Sequence, residues 1–477
     1  MIKLFIIAKE EWRYWLRSKL AILVLSIGLV LTLSSVIVTA VNMQELTQTR
    51  QVLQNNSQQS FADQPDRHPH RMVHYGHYIF RTPSPLSALD PGIDSYTGNS
   101  IFLEGHRQNS AMFADQMQGT ALTKLGSLSP AFIVQILAPL LLILIGYSSI
   151  SRERESNTLA YLLAQGTSGL TLIVGKGLAL MSISLLILVP LAISSIFICI
   201  QGESLIVILG FLFGYAAYLT VWVLLILLVS CVFLKNSESF TALAFMWILF
   251  CVVMPRIAST TAATGAPTLG KLETDFAVTE QLRKLGDGHN AKDPAFDKLK
   301  NSLLAQYKVK SIEDLPINYK GVVASKSEED LTKVLNKFSE QRMQAELQQT
   351  EISRYFGWLS PTMAIRTLSL VISATSIETH HRFLREAEIL RFDFVQGLNQ
   401  VHIDQLSYQD DINRNRNVQA SNKARVGSQN WQLLQDFKFI VDTPNVRLER
   451  SFSAYIQLLV WIIFLVVVIR LIGRRLL

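Results

Sequence analysis

The chain has 477 residues, of which 49% are hydrophobic and only 17% are charged, and its mean hydropathy is +0.27. A soluble domain normally carries about 25% charged residues, so this composition excludes an ordinary soluble globular protein. The net charge of +7 mostly reflects basic residues at the ends of apolar segments, so no nucleic-acid partner is predicted from it.

Residues 1–19 are predicted to form a cytoplasmic interfacial helix. Apolar residues recur at helical spacing on one face, and Lys and Glu occupy the other face. Such a helix lies along the membrane surface before the chain turns into the bilayer. The predicted apolar face comprises Leu4, Ala8, Trp12, Trp15 and Leu16.

Six apolar stretches are long enough to cross a membrane, which takes about 20 residues of helix. The sequence therefore predicts an all-α polytopic membrane protein with six transmembrane helices. The predicted spans are 20–41, 129–150, 172–199, 205–234, 239–259 and 453–472.

Lys and Arg gather at span ends that all fall on one side of the membrane when the chain crosses it six times. An excess of basic residues marks the cytoplasmic side. Both termini, with the short tail 473–477, and the loop 151–171 are therefore predicted to be cytoplasmic. The segments 42–128 and 260–452 are predicted to be two extracytoplasmic insertions.

The two insertions differ in composition. Turn-forming residues are frequent in the first, as in "RTPSPLSALDPGIDSYTGNS", so little long helix is expected there. The second is predicted to be mainly helical, with room for a minor strand content. Helical periodicity is strongest over 327–356, which begins at "SEED", and over 379–403.

One segment, 357–376, has the length of a span but carries Arg366 at its centre. Inserting an arginine there costs about 3 kcal/mol. A seventh span would also move the basic C-terminal tail to the external side. An amphipathic external helix near the membrane is therefore predicted.

The loop after the second span begins "SRERESNTLAYLLAQGTSG". Its arginines could simply anchor the span, but acidic residues contribute little to topology. The segment that follows is amphipathic, with Leu159, Leu162 and Leu163 on one face. A short helix with acidic residues at its N-terminal end is suited to docking a partner.

The longer stretch "RERESNTLAYLLAQGTSGLTLIVGKGLAL" resembles the coupling-helix region of ABC transporter permeases of the ABC-2 class. Many members have Pro after the leucine pair, where this chain has Gln165 and Gly166. The external segments are similar to those of a bacterial ABC-2 subgroup with a large periplasmic domain of unknown function. The coupling residues implied by the resemblance are Arg152, Glu153, Arg154, Glu155, Thr158, Leu159, Leu162 and Leu163.

The resemblance implies a permease subunit in the bacterial inner membrane that exports an unidentified substrate. Its expected partners are an ABC ATPase subunit, which would hold ATP and Mg²⁺, a second permease copy or paralogue, membrane lipid and a periplasmic protein. No cofactor is expected in this chain. The alternative is a mechanotransmission or scaffold protein that acts on periplasmic partners without a pore. A metal-sensing membrane protein is a third option.

No sequence motif of a catalytic site is present, so no enzymatic activity is predicted for the chain itself. All nine histidines fall in the external segments, and "HPHRMVHYGH" holds the metal-ligand candidates His70, His74 and His77. Pro69 and Gly76 argue against a regular helix there, and the set lacks thiolates and carboxylates. Solvent-exposed loop histidines without a metal are therefore expected.

Overall fold

The computed structural model describes residues 2–112, 128–434 and 436–475. Residues 113–127 of the predicted first insertion, the first residue of the interfacial helix and the last two residues of the tail lie outside this description. Helices dominate the described residues, and a single antiparallel pair of strands is formed by β1 (His77–Phe80) and β2 (Ser100–Leu103), with His77 opposite Leu103.

The helices are numbered in chain order. Those of the first half are α1 (Ile2–Ser18), α2 (Leu20–Ala62), α3 (Pro69–Tyr75), α4 (Asp94–Thr97), α5 (Ala138–Gly146, preceded by a π turn at Ile133–Leu137), α6 (Ser151–Glu155), α7 (Thr158–Ala164), α8 (Gly169–Ile200), α9 (Leu205–Val232) and α10 (Asn236–Gly265). Those of the second half are α11 (Lys271–Leu282), α12 (Asp297–Tyr307), α13 (Tyr319–Tyr355), α14 (Pro361–Ile372), α15 (Ile377–Gln405), α16 (Tyr408–Asn413), α17 (Val418–Lys423) and α18 (Pro444–Arg475).

Six helices among the described residues are long and apolar enough to cross a membrane, so the predicted all-α polytopic fold with six spans is confirmed. They pack around one large apolar core to which α1, α5, α8, α9, α10 and α18 all contribute. The spans are Leu20–Ala62, Pro130–Glu155, Gly169–Ile200, Leu205–Val232, Asn236–Gly265 and Pro444–Arg474.

The N-terminal helix α1 is separate from the first span, as the sequence predicts. The break falls at Lys19, whose φ of 56° is left-handed. Trp15 is buried and Trp12 donates to Ser182 Oγ at 2.8 Å, whereas Leu16 is exposed. Glu11 is also buried, and two cations, Arg152 and Lys176, pair with it.

Helix α2 runs 43 residues, well past the predicted end of the first span at 41. At 1.5 Å per residue it is about 65 Å long, twice the thickness of a bilayer core. The expectation of little long helix in the first insertion is therefore wrong for 42–62, because no Gly or Pro interrupts the chain there. The projecting end is anchored by Phe61, whose ring lies 5.2 Å from that of Phe394 in α15.

The segment expected as an external amphipathic helix, α14, enters the bundle. It is only 12 residues long, too short to span, and its apolar face belongs to the core of the membrane helices. Its two ends contact the middle of α9, where Tyr218 lies 3.2 Å from Thr362 Oγ1 and Tyr215 lies 2.8 Å from Ser369 Oγ. We call α14 the re-entrant helix.

Its entry depends on a small residue in α9. A Cβ at Gly214 would lie 2.6 Å from a terminal methyl group of Leu368, so a larger residue would require Leu368 to move. The tyrosine hydroxyls then satisfy the Ser and Thr side chains of α14, which could not otherwise be buried at low free-energy cost.

In the second insertion, α15 matches its predicted range closely, whereas α13 begins eight residues earlier than "SEED". Its N-cap is Asn318, which accepts hydrogen bonds from the amides of Lys320 and Gly321. Glu328 of "SEED" does not cap a helix. It is fully buried and pairs with Arg391 of α15 at 2.5 Å, which joins the two long helices.

A second buried ion pair closes the outer end of the bundle. Arg447, at the start of α18, contacts both carboxylate oxygens of Glu203 at 2.8 and 3.2 Å, and it also donates to the Ile372 carbonyl of the re-entrant helix. Ser84 of the first insertion donates to the same carboxylate at 2.9 Å. Two insertions and three spans therefore meet at one charge pair.

The two ends of the bundle are distinct. Lys3 donates to the Gly166 carbonyl at 2.9 Å, and Gly473 packs against Leu170, so both chain ends and the loop 151–171 share one end. The insertions lie at the other end.

We predict that the shared end is cytoplasmic. Alkaline phosphatase, which is active only outside the cytoplasm, should be active when fused after Asp404 and inactive when fused at the C-terminus. Fusions of a fluorescent protein that is active only in the cytoplasm, made at the same two positions, serve as the control. They should be fluorescent at the C-terminus and dark after Asp404. An active C-terminal phosphatase fusion would contradict this orientation.

Candidate functional site

The predicted coupling loop folds as two short helices with a sharp turn between them. Helix α6 ends at Glu155 and α7 begins at Thr158, and Asn157 adopts a left-handed φ of 57° that asparagine tolerates well. Ser156 and Thr158 hydroxyls lie 2.8 Å apart across the turn. The loop is thus a defined structural unit.

The unit is fixed to the bundle by four charged side chains that we call the ionic cluster: Glu11, Arg152, Glu153 and Lys176. Lys176 Nζ lies 2.8 Å from Glu153 Oε1 and 3.4 Å from Glu11 Oε2. Arg152 Nη2 contacts the same Glu11 oxygen at 2.9 Å. Two positive and two negative charges balance, so a lysine and a glutamate can be buried at the edge of an apolar core.

The other two charges of "RERE" bind helix ends. Arg154 donates to the Cys231 and Val232 carbonyls at the C-terminus of α9, and Glu155 accepts from the first amide of α10, Asn236, at 3.1 Å. Both contacts satisfy backbone groups that a helix leaves unpaired, with the favourable sign of charge.

Glu153 and Glu155 are predicted to serve a partner, and that role stays a prediction. Within the chain, the Glu153 carboxylate pairs with Lys176 and the Glu155 carboxylate accepts from the Asn236 amide. Glu153 also accepts from Thr158 at 2.6 Å, so it fixes the start of α7.

The leucines of α7 also face inward. Leu159 and Leu162 pack against the bundle core, and Leu163 is half-buried. The exposed side of α7 centres on Tyr161, which is 72% exposed. Tyr161 lies opposite the leucines at helical spacing, which is the only signal of its position in the sequence.

At the outer end, the structure assembles a second set of side chains, which we call the histidine cluster: His70, His74, His106 and His289. Pro69 and Gly76 were predicted to disfavour a regular helix, and this is wrong, because Pro69 is the first residue of α3 and Gly76, with φ 75°, ends it. His70 and His74 therefore share one helical face.

The third sequence candidate lies elsewhere. His77 is buried on β1, where its Nδ1 is 3.2 Å from the Ser57 hydroxyl. His106 and His289 take part instead, and the spacing along the chain could not reveal them, since His289 belongs to the other insertion. Burial, followed by the adjacent rings, lowers the pKa of His70 to about 2, so its ring is neutral at neutral pH.

A separate buried group joins the two insertions nearby. Asp411 lies 3.2 Å from His68 Nε2 and 2.7 Å from His402 Nε2. Lys320 and Arg414 also contact it, at 3.2 and 3.1 Å. Burial opposes ionisation of Asp411, but the hydrogen bonds from His402 and His68 hold its pKa well below the usual value. Two cations of the chain therefore already balance the Asp411 carboxylate.

Replacing Lys176 with Met should destabilise the protein strongly. It removes one cation and leaves Glu11 and Glu153 facing each other with only Arg152 to balance them. Breaking a buried ion pair in this way costs about 3–5 kcal/mol of unfolding free energy. The expected result is a lower thermal unfolding midpoint of the detergent-solubilised protein.

Lys3→Met is the matched control, since that lysine is exposed, and adding Glu11→Gln to Lys176→Met should restore part of the lost stability. An unchanged midpoint in Lys176→Met would show that the ionic cluster does not stabilise the bundle.

Acidification should weaken the packing around His77. Burial lowers the pKa of His77 from 6.5 to about 4. Between pH 6.5 and 4, this histidine is therefore protonated in the unfolded chain and neutral in the folded chain. Its contribution is present above pH 6.5 and lost as the pH falls towards 4, on the order of 2–3 kcal/mol. His77→Asn keeps a partner for Ser57 but cannot titrate in this range. Its unfolding midpoint should therefore fall less than that of the wild type between pH 7.5 and 5, and equal falls would refute the assignment.

Residues 271–440 match a family described as a domain of unknown function, DUF3526. No curated protein matches the chain. The matched region begins at α11 and ends shortly before α18, and it includes the re-entrant helix and His289.

Proposed function

We propose that this chain is the permease subunit of an ATP-driven, ABC-2-like transporter that exports a substrate across the bacterial inner membrane. ATP and Mg²⁺ would be bound by a separate ATPase subunit docked on α6 and α7, and the chain itself would hold no cofactor. Both termini would be cytoplasmic.

The observation that carries the proposal is the way α6 and α7 are mounted. Their exposed side presents Tyr161, while their charged side chains bind α1, α8, α9 and α10. A partner that pushed on α7 would therefore move four helices together. A plain loop between spans needs no such mounting.

A second permease copy or paralogue is supported by the uneven burial of the spans. The second and fourth spans are 61% buried over their most apolar windows, but the first and sixth are only 28% buried and the fifth 17%. These open faces are available to lipid or to another subunit.

The exposure of Arg366 favours a subunit or a water-filled path beside the re-entrant helix. Residues 361–365 are all buried, whereas Arg366 projects from the protein. A charged side chain in the membrane faces water or protein and avoids lipid.

The alternative function, mechanotransmission to a periplasmic partner without a pore, is favoured by a different observation. Between α13 and α14, the turn Phe356–Trp358 is held by the sixth span. Gln457 donates to the Arg354 carbonyl at 3.0 Å and Trp461 donates to the Gly357 carbonyl at 3.3 Å. Movement of that span would reach the external helices directly.

Tyr161→Glu should disrupt docking of the ATPase. A tyrosine at the centre of an interface commonly contributes 2 kcal/mol or more, about 30-fold in affinity, and a buried new carboxylate would weaken it further. Affinity-tagged chain purified from its native membrane should bring down a protein with a phosphate-binding loop and ATPase activity, and the variant should retain less than about a tenth of it.

Tyr96→Glu is the matched control, because Tyr96 is 78% exposed at the opposite end of the molecule. Both variants should show the wild-type unfolding midpoint. Equal recovery of the ATPase with Tyr161→Glu and wild type would rule out α7 as the docking site.

A further inference from the structure

The histidine cluster brings together residues from three separate places in the fold. His70 and His74 lie on α3, His106 follows β2, and His289 lies in the loop between α11 and α12. One ring nitrogen from each lies within 4.8 Å of the others. The Nε2 atoms of His70 and His74 are 3.2 Å apart.

That separation has a chemical meaning. Two ligand nitrogens bound to one tetrahedral zinc ion, at about 2.0–2.1 Å each, lie about 3.3 Å from one another. A metal ion between neutral imidazoles would turn closely facing lone pairs into bonds.

His106 is oriented in the manner of a metal ligand. Its Nδ1 lies 2.7 Å from Glu328 Oε2, and its Nε2 is buried without a hydrogen-bond partner among the described residues. A carboxylate behind the far ring nitrogen fixes the tautomer of a metal-bound histidine and raises its basicity. Glu328 is itself held by Arg391, so the ring is supported by the core of the domain.

The ligand set also indicates the metal. Imidazole nitrogens suit zinc, copper and nickel, whereas calcium and magnesium prefer oxygen. The three cysteines of the chain, Cys199, Cys231 and Cys251, lie in or at the ends of the spans, and none of them belongs to the histidine cluster. His74 and His289 are exposed, which leaves an entry path for the ion.

The Asp411 group shows the contrast. It also joins two histidines and a carboxylate, but it is fully buried and two cations already contact it. A metal ion there would meet positive charge, whereas the histidine cluster offers four imidazole nitrogens as ligands.

We propose that His70, His74, His106 and His289 form a binding site for one divalent transition-metal ion of the zinc class. The ion links the first insertion to the loop that joins α11 and α12 in the second. The site does not depend on the proposed transport function.

The test uses the full-length protein in detergent, treated with a chelator and titrated with Zn²⁺ by calorimetry. One ion per chain should bind, and Co²⁺ used as a spectroscopic probe should give the visible bands of a tetrahedral nitrogen site. Zinc should also raise the thermal unfolding midpoint, because it binds the folded state.

His289→Ala is the informative variant, since its side chain is 54% exposed and its loss should not impair folding. Removing an outer partner of a metal site costs 10–100-fold in affinity, so removing this ligand should cost at least about 100-fold. The zinc-induced rise of the unfolding midpoint should disappear as well.

His77→Asn is the matched control. It removes a histidine from the same stretch of sequence but not from the cluster, and it should bind zinc as the wild type does. The proposal is overturned if the wild type binds no zinc at micromolar concentrations. It is equally overturned if His289→Ala and His74→Ala both retain wild-type affinity.

Discussion

The structure depends on one constraint: a charge in an apolar interior must be neutralised where it lies. Taking an unpaired ion out of water costs several kcal/mol, so the ionic cluster and the Arg447–Glu203 pair can exist only as complete sets. Each set draws partners from distant parts of the chain. The pairing requirement therefore does what a hydrophobic core alone cannot do, since it fixes which helix ends meet. An apolar face can slide along another, but a buried carboxylate cannot leave its cation.

The same constraint organises the external half. Glu328 is fully buried, and its two oxygens serve different purposes, one facing Arg391 in the core and the other facing His106. The packing of α13 against α15 and the orientation of a ring in the histidine cluster thus rest on one side chain. Asp411 plays the corresponding role between the first insertion and α16. The two insertions contain no cysteine, so disulfides cannot stabilise them. Paired charges join their parts instead.

The spans could be read from the sequence because length and apolar composition alone determine them. Helix α15 was predictable for a similar reason, since Phe383, Ala387, Phe394 and Leu398 repeat at helical spacing and are all buried. The path of α14 was not predictable. It depends on Gly214 leaving room for Leu368 and on two tyrosine hydroxyls, which no local pattern reveals. Only part of the histidine cluster could be predicted from the sequence. His70 and His74 are near neighbours in the chain, whereas His289 is brought to them by the tertiary fold. Glu11 and Lys176 likewise meet only in three dimensions.

Helix α18 connects the ionic cluster at one end of the bundle with the insertions at the other end. Its first turn carries Arg447 of the outer charge pair, and its other end lies beside the start of α8, close to the ionic cluster. Its 32 residues form a rod of about 48 Å. Under the proposed function, a displacement at the end that carries α7 would be transmitted along this helix, and Gln457 and Trp461 would pass it to the turn between α13 and the re-entrant helix. Arg366 lies on that helix, and α13 carries Glu328 behind the histidine cluster. Movement of α18 would therefore displace both Arg366 and the histidine cluster. A ligand bound at either place would then change the position of the other.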